Sequence, residues 1–207
     1  MHPNPIYRST DHAKDIAFAR SRGFGVLSVN GAEVPLVSHV PFVLSEDGSQ
    51  AELHLVRSNP MARQVSGTAP ARLAVTGSDG YVSPDWYGIE HQVPTWNYVA
   101  VHLTGTLERL PDDALLPMLD RLSDFFEARL APKPVWKTAK MPAEALERML
   151  RMIVPYRLTI GAIDATWKLS QNKPDAARLG AADGLDAAGI GAETAVLAAL
   201  MRNPPAL

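Results

Sequence analysis

The N-terminal half of the chain is a series of short apolar runs separated by polar turns. Four of these runs are rich in β-branched and aromatic residues, which favour extended backbone. They cover Phe24 to Val29, Leu36 to Leu44, Ala51 to Val56 and Arg72 to Thr76. The residues Glu46-Asp47-Gly48-Ser49 suit a tight turn, so the second and third runs are predicted to form a hairpin.

Two longer runs in the C-terminal half also read as strands. From Trp96 to Leu107 the residues alternate, so that Trp96 and Tyr98 share one face while the opposite face is aliphatic. Residues Arg157 to Leu169 form the last predicted strand. Six strands with inserted helices predict an α+β protein, mainly β, built as a six-stranded antiparallel β-barrel with peripheral helices.

Helical periodicity is confined to shorter segments. The sequence predicts a first helix that is capped by Thr10 or Asp11. Apolar residues recur at helical spacing in 115–126 and again in 146–153, and Pro155 is predicted to stop the second of these helices.

The composition shifts towards Ala and Gly from Ala176 onwards. We therefore expect one barrel domain over residues 1–180 and an Ala/Gly-rich tail over residues 181–207. Within the tail, residues 192–201 are expected to form a weak helix that packs on the barrel or on a partner.

Charge and cysteine content exclude several classes of protein. The net charge is −2 and acids and bases are interspersed, which does not favour direct binding to DNA or to an anionic membrane. Without cysteine the chain has no disulfide and no thiolate metal site. The N-terminus lacks the apolar core of a secretion signal and the longest apolar stretch is too short to cross a bilayer, so a cytoplasmic location is expected.

Aromatic residues are concentrated between Tyr81 and Tyr98, beside Pro84 and Pro94. Proline removes a backbone donor and keeps the preceding residue extended, so a structured loop is predicted here. Rings beside hydroxyl and amide groups suit a flat, partly polar ligand. The alternative is an aromatic cluster that seals the barrel end or a dimer interface.

Two polar segments at strand ends are candidate binding residues. At the first, Asn59 is expected to cap a short helix that begins at Pro60, so that free amides and Arg57 form a phosphate site. At the second, the Lys, Gln and Asn side chains of residues 168–173 match the carbonyl oxygens and ring nitrogens along one edge of a flavin. The alternatives are an ordinary helix start and an ordinary turn.

Three histidines fall in predicted strands, at His39, His54 and His102. A barrel can bring such residues together as metal or haem ligands, or each can be a hydrogen-bonded barrel residue. The sequence contains no nucleophile elbow, no phosphate loop and no dinucleotide fingerprint.

Five motifs over roughly residues 1–180 resemble those of the PaiB-like FMN-binding negative transcriptional regulator family. They are His39-Val40-Pro41-Phe42; His54 with Asn59-Pro60; Tyr81-Val82-Ser83-Pro84-Asp85-Trp86-Tyr87; Val93-Pro94-Thr95-Trp96-Asn97-Tyr98; and Lys168-Leu169-Ser170-Gln171-Asn172. The resemblance implies a split β-barrel similar to that of pyridoxamine-phosphate oxidases, which forms a homodimer with FMN in clefts between the subunits.

The same resemblance implies a set of FMN-binding residues. Arg57, Ser58 and Asn59 would lie near FMN, as would Lys168, Gln171 and Asn172, with Trp96, Asn97 and Tyr98 lining the cleft. Residues 59–62 replace the basic pair that commonly grips the phosphate in the wider split-barrel group, which predicts weaker binding of FMN.

Three functions remain open from the sequence. The first is an FMN-binding split barrel that acts as an FMN-dependent oxidoreductase or a redox sensor. The second is a transcriptional regulator that acts through a partner, because neither long helix presents the basic face of a DNA reader. The third is a barrel that binds or degrades haem with one of the three histidines.

Overall fold

The computed structural model describes residues 1–8 and 12–206, and over these residues the chain forms seven strands and six α-helices. The strands are β1 Phe24–Val29, β2 Leu36–Leu44, β3 Gln50–Val56, β4 Thr68–Val82, β5 Thr95–Arg109, β6 Ile153–Lys168 and β7 Gly191–Ala192. The helices are α1 His12–Arg22, α2 Pro60–Gln64, α3 Leu115–Glu127, α4 Ala143–Leu150, α5 Asp175–Ala188 and α6 Thr194–Arg202.

Six of the strands close into an antiparallel barrel. Their order is β1-β2-β3-β6-β5-β4, and β4 pairs again with β1, as in the register Val26↔Ala74. The short strand β7 lies outside the barrel and pairs with β4, where Gly80 faces Gly191. The predicted α+β fold with a six-stranded antiparallel barrel is confirmed.

The chain divides into two compact units. The first unit contains residues 1–15, 75–102 and 164–207, and the second contains residues 16–74 and 103–163. In the second unit the alternation of the strands buries Phe42, Leu53 and Tyr156 completely. The hydroxyl of Tyr156 donates to the carbonyl oxygen of Val65 at 2.9 Å, so this buried phenol is hydrogen-bonded.

The prediction for residues 146–153 was wrong at its C-terminal end. Helix α4 ends at Leu150, and Ile153 and Pro155 both belong to strand β6. The proline is tolerated there because its carbonyl still accepts a hydrogen bond from the Leu110 amide at 3.0 Å, while its missing N–H leaves no donor unpaired. The predicted caps of the first helix, Thr10 and Asp11, lie outside the described residues.

The Ala/Gly-rich tail forms two packed helices. Helix α6 matches the predicted helix over 192–201, whereas α5 was not predicted and spans residue 180, where the domain boundary was placed. Within the first unit, Leu185 of α5 and Leu197 and Met201 of α6 are completely buried. The buried guanidinium of Arg178 donates to the carbonyl oxygens of Met201 and Arg202, which fixes the end of α6 against α5.

Candidate functional site

Residues 83–94 form a structured connection between β4 and β5. Its first part is a 3₁₀-helix, Pro84–Tyr87, which begins with proline where no amide donor is needed and ends at Gly88 with φ +61°. The two aromatic residues of this turn point in different directions. Tyr87 is buried, whereas Trp86 packs so closely on α5 that a Cβ at Gly184 would lie 2.4 Å from its indole ring.

At the start of strand β5, the aromatic side chains lie on one face and Asn97 on the other. Trp96 is 47% exposed, whereas the adjacent Asn97 is completely buried. This alternation is the period-two pattern of a strand, and it divides the predicted ligand residues 96–98 between two separate cavities.

The first cavity, which we call the aromatic cleft, has a volume of about 560 Å³. Its walls are Thr76, Gly77, Asp79, Trp96, Tyr98, Val99 and Ala100. The ring of Tyr81 meets both Trp96 and Trp86 edge to face, with centroids 6.4 and 6.3 Å away. These contacts hold Trp96 in place while part of its surface remains open to a ligand.

The second cavity, which we call the polar pocket, has a volume of about 220 Å³. It is lined by Tyr7, Tyr87, His91, Gln92, Val93, Thr95, Asn97, Lys168, Ser170, Asn172 and Lys173. Three predicted site residues therefore meet here: Asn97, Lys168 and Asn172.

Ser170 is the centre of the hydrogen bonds in the polar pocket. Its side-chain oxygen accepts from Asn97 Nδ2 at 2.8 Å and lies 2.9 Å from the hydroxyl of Tyr87. Burial raises the pKa of Tyr87, and the hydrogen bond to Ser170 partly offsets this shift. Ser170 has φ +60°, a left-handed conformation that is unfavourable for serine, so the surrounding contacts hold a strained residue.

The ammonium group of Lys168 lies within the same pocket. It donates to the side-chain oxygen of Thr95 and is 6.0 Å from the centroid of the Tyr7 ring. Burial lowers the pKa of Lys168, and the charge of Lys173 lowers it further. The two lysines are therefore close enough to repel each other.

Gln171 has a local role. Its Oε1 accepts from the Leu169 amide at 2.8 Å, and its Nε2 donates to the carbonyl oxygens of Trp167 and Ile6. These bonds use the carboxamide at both ends, so Gln171 holds the turn after β6 and ties it to the N-terminal segment.

The predicted phosphate residues belong to the second unit. Asn59 caps α2 as predicted, since its Oδ1 accepts from the Met61 amide at 2.9 Å. Arg57 is engaged by its neighbours: Nε donates to the Arg151 carbonyl at 3.0 Å, and Nη2 lies 3.4 Å from a carboxylate oxygen of Asp112. The Ser58 side chain makes no hydrogen bond to any described residue, which leaves its hydroxyl available to a ligand.

The histidines do not form a metal centre in the part of the chain that the structure describes, which contains no group of three His, Cys, Asp or Glu residues able to hold a metal ion. His39 is exposed and stacks on Phe24. Burial lowers the pKa of His54, which favours its neutral form.

Tyr7 and Tyr87 are among the residues of the polar pocket that sequence reasoning did not name as ligand candidates. Tyr87 lies in the aromatic segment that was noted, so its position was available. No sequence motif points to Tyr7, because only the folded chain brings the N-terminus to the end of β6. The His2 amide, for example, donates to the side-chain oxygen of Thr166.

Comparison with known proteins agrees with this architecture. The family model described as "Putative FMN-binding domain" matches residues 1–162, and the chain belongs to that family. It is 30% identical over 172 residues to the "Protease synthase and sporulation protein PAI 2" of Bacillus subtilis, and the match covers 82% of each chain. The PaiB-like resemblance is thus confirmed, and the chain is an FMN-binding split-barrel protein.

Solved structures support the same fold. The FAD and haem binding protein from Mycobacterium smegmatis aligns with a TM-score of 0.58 at 21% identity, covering 78% of this chain and 73% of that one. The flavocytochrome Anf3 from Azotobacter vinelandii also gives 0.58, at 16% identity, covering 81% of this chain and 72% of that one. The family match favours FMN over the haem alternative.

The described helices do not include a candidate membrane span. Across residues 1–8 and 12–206, none of them combines the length and apolar character needed to span a bilayer.

Proposed function

We propose that this protein uses FMN as a redox cofactor, as a flavin oxidoreductase or a redox sensor. The observation that carries the proposal is the aromatic cleft of about 560 Å³, which is lined by Trp96, a residue 47% exposed, and by Tyr98. This volume lies within the range of about 300–1,000 Å³ that is usual for cofactor sites. When bound, FMN supplies reversible transfer of hydride or single electrons.

The residues of the cleft suit a flat aromatic ring. Trp96 and Tyr98 offer aromatic surface, while Gly77 and Ala100 add no bulky side chain to the cleft. Asn97, Lys168 and Asn172, which the sequence also suggested, line the polar pocket on the other face of β5. Strand β5 would therefore separate a flavin ring that stacks on Trp96 from these three residues.

The first prediction tests the cleft. We expect Trp96→Ala to weaken FMN binding by about tenfold or more, because both buried apolar area and ring stacking are lost. Titration monitored by quenching of flavin fluorescence measures this directly. Trp136→Ala is the matched control, because Trp136 is a partly buried tryptophan of the second unit that lines no part of the cleft. Equal losses in the two variants, or no loss in Trp96→Ala, would refute the assignment.

The second prediction tests Arg57, Ser58 and Asn59 as phosphate residues. The guanidinium of Arg57 already forms an ion pair with Asp112. Asp112→Ala removes this competing carboxylate, so it should tighten the binding of FMN. It should not affect the binding of riboflavin, which has no phosphate. Arg57→Ala should instead reduce the preference for FMN over riboflavin, by about tenfold for one lost charge-assisted contact. If neither variant changes the ratio of the two affinities, the phosphate binds elsewhere.

A homodimer is part of the same proposal. Val93 is 72% exposed and Ile89 is 42% exposed, so the connection between β4 and β5 carries apolar surface that a second subunit would cover. The family resemblance implies that such a dimer holds FMN in clefts between the subunits.

A regulatory role through a partner protein is the second candidate function. It rests on the family resemblance, and the net charge of −2 favours a protein partner over direct contact with DNA.

A further inference from the structure

The polar pocket is a basic site without an acidic partner. Lys168 and Lys173 both line it, whereas none of its eleven lining residues is Asp or Glu. Within the described residues, neither lysine forms an ion pair with a carboxylate. In addition to burial, the charge of Lys173 contributes to the lowered pKa of Lys168, so the pocket holds two nearby ammonium groups whose charge the protein does not neutralise.

The lysines also have unused hydrogen-bond donors. Each ammonium group has three N–H bonds. Among the described residues, Lys168 donates only to Thr95 and lies over the Tyr7 ring, and Lys173 donates only to Gln92 and lies over the Tyr87 ring. Each lysine thus keeps donors that remain free for a ligand.

The hydroxyl groups of the pocket add further donors. Tyr87 and Ser170 share one hydrogen bond, so whichever of the two donates, the other retains an O–H hydrogen. Ser170 Oγ also accepts a hydrogen bond from Asn97 Nδ2. The hydroxyl of Tyr7 has no hydrogen-bond partner among the described residues, although the Tyr7 residue is 6% exposed.

The pocket also contains a buried hydrogen-bond acceptor without a partner. The buried Oδ1 of Asn97 has no partner within the described part of the chain, and Asn97 is completely buried. An unpaired buried polar atom is costly, so an N–H or O–H group that donates to Asn97 Oδ1 would be stabilising there. The pocket therefore combines two ammonium groups and hydroxyl donors with the buried, unpaired Oδ1 of Asn97.

We propose that the polar pocket binds the carboxylate or phosphate group of a small anionic ligand other than FMN. Lys168 and Lys173 supply the charge, and the hydroxyl of Tyr7 together with the one remaining O–H of the Tyr87–Ser170 pair supplies directed donors. Asn97 Oδ1 accepts from an N–H or O–H group of the same ligand. A volume of about 220 Å³ suits a phosphate ion or a short carboxylic acid and lies below the range of about 300–1,000 Å³ that is usual for cofactor sites.

The anion site is independent of the proposed redox function. It lies on the opposite face of β5 from Trp96, so a ligand there acts as a second ligand of the barrel and not as a group stacked on the ring in the aromatic cleft. The same anion chemistry is present in the phosphate of FMN, and the experiment has to distinguish the two sources.

Calorimetric titration of the FMN-free protein with inorganic phosphate and with succinate, at constant ionic strength set with chloride, tests the proposal. We expect saturable binding of at least one of these anions. The double variant Lys168→Met, Lys173→Met should bind it at least about tenfold more weakly, because two charge-assisted contacts are lost. Lys140→Met, which removes an exposed lysine of the second unit, should bind as the wild type does.

A melting curve without anion separates binding from folding. Because removal of the two lysines relieves repulsion and desolvation, the double variant should melt at the same temperature as the wild type or higher. If the double variant does not fold, Tyr7→Phe replaces it, and a severalfold loss of anion affinity is expected from one missing hydroxyl.

Two results would overturn the proposal. One is the absence of saturable phosphate and succinate binding by the wild type, or equal binding by the double variant. The other is competition of phosphate with FMN together with loss of FMN affinity, but not of riboflavin affinity, in the double variant. That second result would identify the anion as the cofactor's own phosphate and would move the phosphate site away from Arg57.

Discussion

A chain that ends at residue 180 is expected to lose cooperative folding. The truncation removes three completely buried large side chains, Leu185, Leu197 and Met201, and divides α5. Full burial of such side chains contributes about 1.5–3 kcal/mol each, or about 5–9 kcal/mol together. This approaches the whole stability of a typical domain, about 5–15 kcal/mol. Thermal melting followed by circular dichroism measures the loss.

The matched control ends at Asn203. It keeps α6 intact and removes the exposed contact in which Lys14 donates to the Ala206 carbonyl, so it should melt close to the full-length chain. If the chain of 180 residues melts cooperatively at the temperature of this control, the boundary predicted at residue 180 is correct and the two C-terminal helices are an appendage.

The limits of sequence reasoning about the fold are visible in individual strands. Strands β1 and β2 have the predicted ends, because their apolar alternation stops at turn residues. Strand β4 was predicted over residues 72–76 but spans Thr68–Val82. Its outer parts contain Pro70 and Gly80, which favour strands poorly, and pairing with neighbouring strands outweighs that preference.

The candidate site was predictable to a similar extent. The period of two correctly placed Trp96 and Tyr98 on one face of β5, where both line the aromatic cleft. The sequence did not show that Asn97 and Lys168 line a different cavity from Trp96 and Tyr98. That division depends on which strands enclose each face of β5. The sequence also did not reveal the ion pair between Arg57 and Asp112, because these two residues are far apart in the chain.

Helix α5 carries a pattern that sequence analysis can use. Ala177, Gly180, Ala181 and Gly184 follow helical spacing and leave one face almost without side chains. Trp86 occupies that face: a Cβ at Gly180 would lie 2.6 Å from its carbonyl oxygen. An Ala/Gly-rich segment near a cluster of large rings thus indicates a helix that packs on them, rather than a loose tail.

Gly184→Ala is expected to destabilise the protein by about 1–3 kcal/mol, the usual cost of forcing a methyl group into a filled space. In a helix interior, Gly→Ala normally raises the free energy of unfolding by up to about 1 kcal/mol. A decrease at Gly184 would therefore indicate a steric clash. The added Cβ would lie 2.4 Å from the Trp86 ring, and the strain should reach Trp96 through Tyr81.

A double-mutant cycle tests this contact. In a Trp86→Ala background the space beside residue 184 is empty, so adding Gly184→Ala should raise the free energy of unfolding by about 0.5–1 kcal/mol. Denaturant unfolding of the four proteins measures both steps. Gly161→Ala, at a position where an added Cβ meets no atom within 4 Å, serves as the control for glycine replacement without a clash. If Gly184→Ala has the same effect in both backgrounds, Trp86 does not rest on α5, and the glycines of that helix need another explanation.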